Sequence, residues 1–81
     1  MANLYILFSH SLDKYYVGST SMDVNQRLRR YLSDHKGFTA KAKDWVVVYS
    51  ECFDSLPAAR KRELQIKKWK SRALIEKLVN A

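Results

Sequence analysis

The sequence predicts an α/β (α+β) fold, a three-stranded antiparallel sheet flanked by helices in the order β-β-α-β-α-α. Three observations carry this reading. Apolar residues alternate over residues 4–8, they recur at helical spacing after residue 22 and again after residue 55, and residues 45–53 form an almost unbroken β-branched and aromatic run. Only two glycines and one proline punctuate the 81 residues, and no segment is repetitive or of low complexity. One domain over residues 1–81, with nearly every residue in a packed element, is therefore expected. A chain of this size buries only about 60% of the surface its unfolded form exposes, so the core must be filled efficiently.

The elements follow in order. Leu4, Ile6 and Phe8 alternate with Tyr5 and Leu7, and residues 14–19 read as a second strand after the turn SHSLD, which makes a hairpin. Thr20 followed by Asp23 fits a capping box, and Val24, Leu28, Tyr31 and Leu32 recur at helical spacing, so a helix is predicted over 22–34 with its apolar stripe on the hairpin. HKGFTAKAKD is polar and basic, hence a loop, and WVVVYSECF predicts a third, well-buried strand. Ser55 ahead of Pro57 marks a helix start, with proline in the first turn where its missing N–H is harmless. That helix extends to about Trp69, and LIEKLV reads as a last short helix.

Charge bounds the partners. A formal net charge of +7 on 81 residues concentrates polyanions at the surface, with nucleic acid the foremost candidate. No apolar run is long enough to cross a bilayer, and MANLYILF lacks the basic flank and small-residue cleavage site of a signal peptide. The single cysteine, Cys52, has no internal disulfide partner and lies in an apolar run, so a buried thiol in a reducing, cytoplasmic setting is expected.

Several residues look out of place for a purely structural domain. Glu63 falls on the apolar stripe of Leu56, Ala59 and Ile66, where a charge costs several kcal/mol unless compensated. Arg60 or Arg62 is the nearest structural partner, and a metal ligand or catalytic group is the functional alternative. Around it, ARKRELQIKKWKSR carries Arg60, Lys61, Arg62, Lys67, Lys68, Lys70 and Arg72 beside Trp69. This is either a solvated helix face or a surface that tracks phosphates. Arg27 and Tyr31 share a side of the first helix, which by itself is ordinary packing. In the hairpin, Tyr16 shares its face with Gly18, and bare backbone beside phenols suits close approach of a bulky anion.

Taken together, Tyr5 in Leu4-Tyr5-Ile6, then Tyr16-Val17-Gly18 followed by Ser19 and Thr20, then Arg27, then Glu63 in KRELQIKKWK resemble the GIY-YIG nuclease family. The similarity is closest to its small single-domain members, whose sequences read like HKGFT, DW and IKKWKSR. Two departures stand out: Asn3 and Leu4 precede Tyr5 in place of the family's first glycine, and Ile75 lies where some relatives carry an asparagine.

The resemblance implies a metal-dependent endonuclease that hydrolyses phosphodiester bonds of DNA by one-step attack of water, a role that suits DNA repair. Tyr5, Tyr16, Arg27 and Tyr31 would be catalytic. Glu63 would hold Mg²⁺ or Mn²⁺, and Gly18, His35, Lys67, Lys68 and Lys70 would contact the nucleic acid. A phenol with a pKa of about 10 is a poor base until a cation favours its phenolate, so Tyr5 or Tyr16 needs Arg27, the metal or a lysine close by. Tyr15 is read as filling, and a protein partner would supply specificity. The alternative is a basic nucleic-acid-binding module that keeps the fold without turnover; against it, a lone acid repels phosphate and serves a binder poorly.

Overall fold

A computed structural model of the protein describes residues 1–33 and 44–81, apart from the side chains of residues 30–33. β1 (Ala2–Ser9), β2 (Lys14–Thr20) and β3 (Val46–Phe53) form one antiparallel sheet in the order β2-β1-β3. α1 (Val24–Ser33) follows β2, and α2 (Leu56–Lys68) and α3 (Arg72–Val79) follow β3. The order is thus β-β-α-β-α-α, as the hydrophobic periodicity predicts. Among the described residues no helix is long and apolar enough to cross a membrane.

Because β1 is the central strand, both of its faces are covered. Leu4 and Ile6 pack with Val17 and Ile66, and Trp69, Ile75, Leu78 and Val79 from the α2–α3 side close over them. On the opposite face Tyr5 and Leu7 pack with Trp45, against Val24 and Leu28 of α1. Each fully buried aliphatic side chain contributes about 1.5–3 kcal/mol.

Two expectations change at β3. The strand expected to be well buried lies at the sheet edge, and Val46 is 44% exposed. Cys52 is exposed rather than a buried thiol. A β-branched run reports fit to a pleated surface, not depth, so it suits an edge as well as a centre. The pairing also shifts by one residue: Ile6 faces Tyr49 while Leu7 faces Val47. Val48 is the bulged residue, which sends Val47 to the α1 face and leaves both Val48 and Tyr49 against the α2 face.

Caps decide the helix boundaries. α1 starts later than the capping-box reading suggests, because Asp23 rather than Thr20 is its cap. Asp23 Oδ1 accepts from the N–H groups of Asn25 (2.9 Å) and Gln26 (3.3 Å), while Thr20 Oγ1 accepts from the Met22 N–H at 3.0 Å. Ser55 caps α2 as predicted, accepting from the Ala58 N–H at 3.4 Å. Past the end of α2, Lys70 adopts φ 47°, a conformation that costs a non-glycine residue about 1–2 kcal/mol. Ser71 then caps α3 through the Leu74 N–H at 3.3 Å, so the last helix begins at Arg72, two residues before LIEKLV.

Two carboxylates fasten the β1–β2 turn. Asp44 accepts from Ser9 Oγ (2.6 Å), the Ser11 N–H (2.8 Å) and Ser11 Oγ (3.1 Å). Arg72 donates to Asp13 Oδ1 (2.6 Å), the Asp13 carbonyl (2.7 Å) and Glu76 Oε1 (2.7 Å), tying the turn to α3. The Ser9 hydroxyl lowers the pKa of Asp44, and the hydrogen bond from Arg72 lowers that of Asp13. A depressed folded-state pKa contributes stability that is present above the unfolded value of 3.8 and is lost as pH falls through the folded value. Acid titration followed by circular dichroism should therefore show stability declining below that pH, and Asp44→Asn should flatten the decline. A mutant profile that overlays the wild type would show that Asp44 carries none of it.

Candidate active site

Strand alternation sorts the hairpin residues before any chemistry begins. Tyr16 and Gly18 point to the face of Tyr5 and α1, whereas Tyr15, Val17 and Ser19 point to the face of α2. Tyr15 is packing, its ring 4.8 Å from Phe8 and beneath the Arg72 guanidinium at 5.4 Å.

Tyr5 and Gly18 are direct cross-strand partners. A Cβ on Gly18 would lie 2.5 Å from Tyr5 Oη and 2.6 Å from Cζ. The bare backbone seen in the sequence is thus occupied by the protein's own phenol rather than left open for a ligand. Tyr5 is only 1% exposed, within the cluster of Leu7 and Trp45, and cannot step aside. Gly18→Ala should cost about 1–3 kcal/mol by overpacking, read as a lower urea midpoint at unchanged slope. An unchanged midpoint would mean that the Tyr5 ring is free to shift.

Ser19 and Glu63 meet because Ser19 faces α2. Ser19 Oγ donates to Glu63 Oε1 at 2.5 Å, and Lys67 Nζ donates to Glu63 Oε2 at 2.6 Å. The partner of Glu63 is therefore neither Arg60 nor Arg62. Arg62 is committed to Glu51 of β3 at 3.3 Å, and Glu51 also accepts from the Tyr49 hydroxyl, which raises the Tyr49 pKa. Neither Ser19 nor the Glu63–Lys67 pair was singled out in the sequence. The i,i+4 spacing of glutamate ahead of lysine was the available signal for the second.

Lys67 also joins the two faces. α2 packs on the face opposite Tyr16, but β2 is an edge strand, and the Lys67 ammonium lies 5.9 Å from the centre of the Tyr16 ring. The cluster Tyr16, Lys67, Glu63 and Ser19 thus curls round the open edge of β2. Tyr16 is braced from behind by Trp45, with ring centres 6.4 Å apart. Arg27 lies on α1 between Val24 and Leu28, on the Tyr5–Tyr16 face, half-buried with its Nε enclosed.

A groove of about 510 Å³, which Tyr16 and Lys67 line but Glu63, Ser19, Tyr5 and Arg27 do not, runs along the gap between the hairpin turn and the α2–α3 junction. Its rim carries Lys14, Tyr16, Lys67, Lys70 and Arg72, over an apolar floor of Val17, Ile66 and Ile75. Lys68 does not share it and instead lines a second hollow with Lys61, Arg62 and Leu64 on the far side of α2. His35 and the side chain of Tyr31 lie outside the described residues. Among the described residues no three His, Cys, Asp or Glu side chains gather as a metal cluster, so Glu63 is a single carboxylate donor. That set fits a hard ion such as Mg²⁺, which keeps most of its waters and takes one or two carboxylates.

The geometry defines a class: a small basic α/β domain that sets phenols, one carboxylate and an ammonium along an open sheet edge. The sequence profile of the GIY-YIG catalytic domain matches residues 1–78, and the chain belongs to this family of endonucleases. At the family level it is a nuclease domain. Neither a curated protein nor a solved structure matches it. Ile75 packs against the core and brings no polar side-chain atom to the groove.

Glu63 is 18% and Lys67 47% exposed, so their pair is a partly solvated one worth at most about 1 kcal/mol. Glu63→Gln should accordingly melt within a few degrees of wild type in differential scanning calorimetry. A loss approaching the roughly 3–5 kcal/mol of a broken buried pair would make Glu63 a structural residue.

Proposed function

We propose that the protein is a divalent-metal-dependent endonuclease that hydrolyses a phosphodiester of DNA in one in-line step. The observation that carries this reading is the Tyr16–Lys67–Glu63 cluster, of which Tyr16 and Lys67 line a basic groove. Glu63 would hold Mg²⁺ or Mn²⁺, and the bound ion supplies positive charge to the leaving oxygen.

The protein's own groups account for the remaining requirements. Tyr16 is half-buried at the groove, whereas Tyr5 is enclosed, which favours Tyr16 as the proton acceptor and Tyr5 as the residue that shapes the β2 backbone beside it. The phenolate of Tyr16 would take a proton from the attacking water as its oxygen bonds to phosphorus, the P–O bond to the leaving oxygen on the opposite side breaks, and the leaving alkoxide takes a proton from solvent water. A phenol serves as a base at neutral pH only beside a cation, and Lys67, whose ammonium lies 5.9 Å from the centre of the Tyr16 ring, would supply it. Arg27, with Tyr31 one turn on, would grip the non-bridging oxygens. Lys67 and Lys70 on the groove rim would hold flanking phosphates, while Lys68 would reach only nucleic acid that wraps α2.

Purified protein should cut at least one of duplex, flap, branched or single-stranded DNA when Mg²⁺ or Mn²⁺ is present and none in EDTA. Glu63→Gln should lower cleavage by about two orders of magnitude or more while oligonucleotide affinity holds or tightens, since a charge that repels phosphate has gone. Wild-type protein that binds every substrate tightly and cuts none, with either ion, would leave the non-catalytic binding module as the better reading.

A further inference from the structure

The Lys67 ammonium is bonded to the Glu63 carboxylate. Glu63 has two carboxylate oxygens and both are engaged: Oε1 by the neutral Ser19 hydroxyl at 2.5 Å, which orients the group, and Oε2 by the positive charge of Lys67 at 2.6 Å. Lys67 is the more exposed member of its pair, so its ammonium can exchange Glu63 for water or for another anion at small cost. The same ammonium stands over Tyr16 at the rim of the groove.

We propose that Lys67 is an exchangeable placeholder on Glu63, holding the place a divalent ion takes and moving to the substrate phosphate beside Tyr16 when the ion binds. This rests on the nuclease reading for the ion and extends it by giving Lys67 two alternating partners. An ammonium and a divalent cation repel each other across one carboxylate oxygen, so the ion must displace Lys67, and its affinity is lowered by whatever the Lys67–Glu63 pair is worth. Linkage is reciprocal: a phosphate that draws Lys67 off Glu63 strengthens ion binding, and the ion strengthens phosphate binding by the same factor. Ser19 keeps the carboxylate at the β2 edge in both states. Lys67 is in this respect a positioning residue, and its effect on the ion is exerted through Glu63.

The test measures two affinities on the full chain: Mn²⁺ binding, from the electron paramagnetic resonance signal of free ion, and binding of a short fluorescent DNA oligonucleotide in EDTA, from anisotropy. Lys67→Met should bind Mn²⁺ about 3- to 10-fold more tightly and the oligonucleotide more weakly, two changes of opposite sign that a packing defect would not produce. Lys67→Gln should behave alike. Lys67→Arg keeps the charge and should stay within about twofold of wild type for the ion. Lys61→Met removes an equal charge from the far side of α2 and should likewise stay within about twofold. Glu63→Gln should lose the ion.

Equal Mn²⁺ affinity in wild type and Lys67→Met, or equal tightening in Lys61→Met, would overturn the placeholder while leaving the nuclease reading intact. Absence of Mn²⁺ binding in wild type and in every Lys67 variant would overturn both.

Discussion

The ring of Tyr5 lies against the backbone of Gly18, and the candidate site is arranged around that contact. β1 is covered on both faces, so a large side chain leaving it toward β2 needs a partner with none. Glycine at the paired position lets the phenol cross at ordinary strand spacing. Strand alternation then dictates the rest: Tyr16, two residues before Gly18, must share its face, and Ser19, one residue after, must look the other way. A site that uses both faces can be assembled only where the sheet ends, and β2 is an edge strand.

Electrostatics follow from where the acids are spent. Asp13 and Glu76 are bound to Arg72, Asp44 to Ser9 and Ser11, Glu51 to Arg62 and Tyr49, and Asp23 caps α1. These carboxylates serve the scaffold. The groove rim carries Lys14, Lys67 and Lys70, with Asp13 tied to Arg72 at its far end. Glu63 is the acid held next to this cationic surface by groups that can release it, a hydroxyl and a partly exposed ammonium.

Membership of the GIY-YIG family sharpens the significance of two local features. Ile75 puts an aliphatic side chain on the groove floor, and the polar partners of Glu63 are Ser19 and Lys67. Arg62, three positions before Gln65 and over the Trp69 ring at 5.7 Å, anchors α2 to β3 and holds the helix that carries both Glu63 and Lys67.

Local patterns in the chain were enough to establish the six elements, their order, the Ser55 cap and the family, because period-2 and period-3.6 burial and short motifs are written in consecutive residues. The centre of the sheet was not legible. The β-branched run of β3 and the mixed run of β1 both suit a pleat, and only pairing across the sheet makes β1 the middle strand and exposes Cys52. Helix ends at Asp23 and Lys70 likewise depended on which oxygen and which backbone geometry won locally. The partner of Glu63 was decided by the packing of α2 on β2, which brings Ser19 from 44 positions away and turns Arg62 toward Glu51. Contacts between residues far apart in the chain carry no spacing to read, so the carboxylate's partners, unlike the carboxylate itself, belong to the tertiary structure.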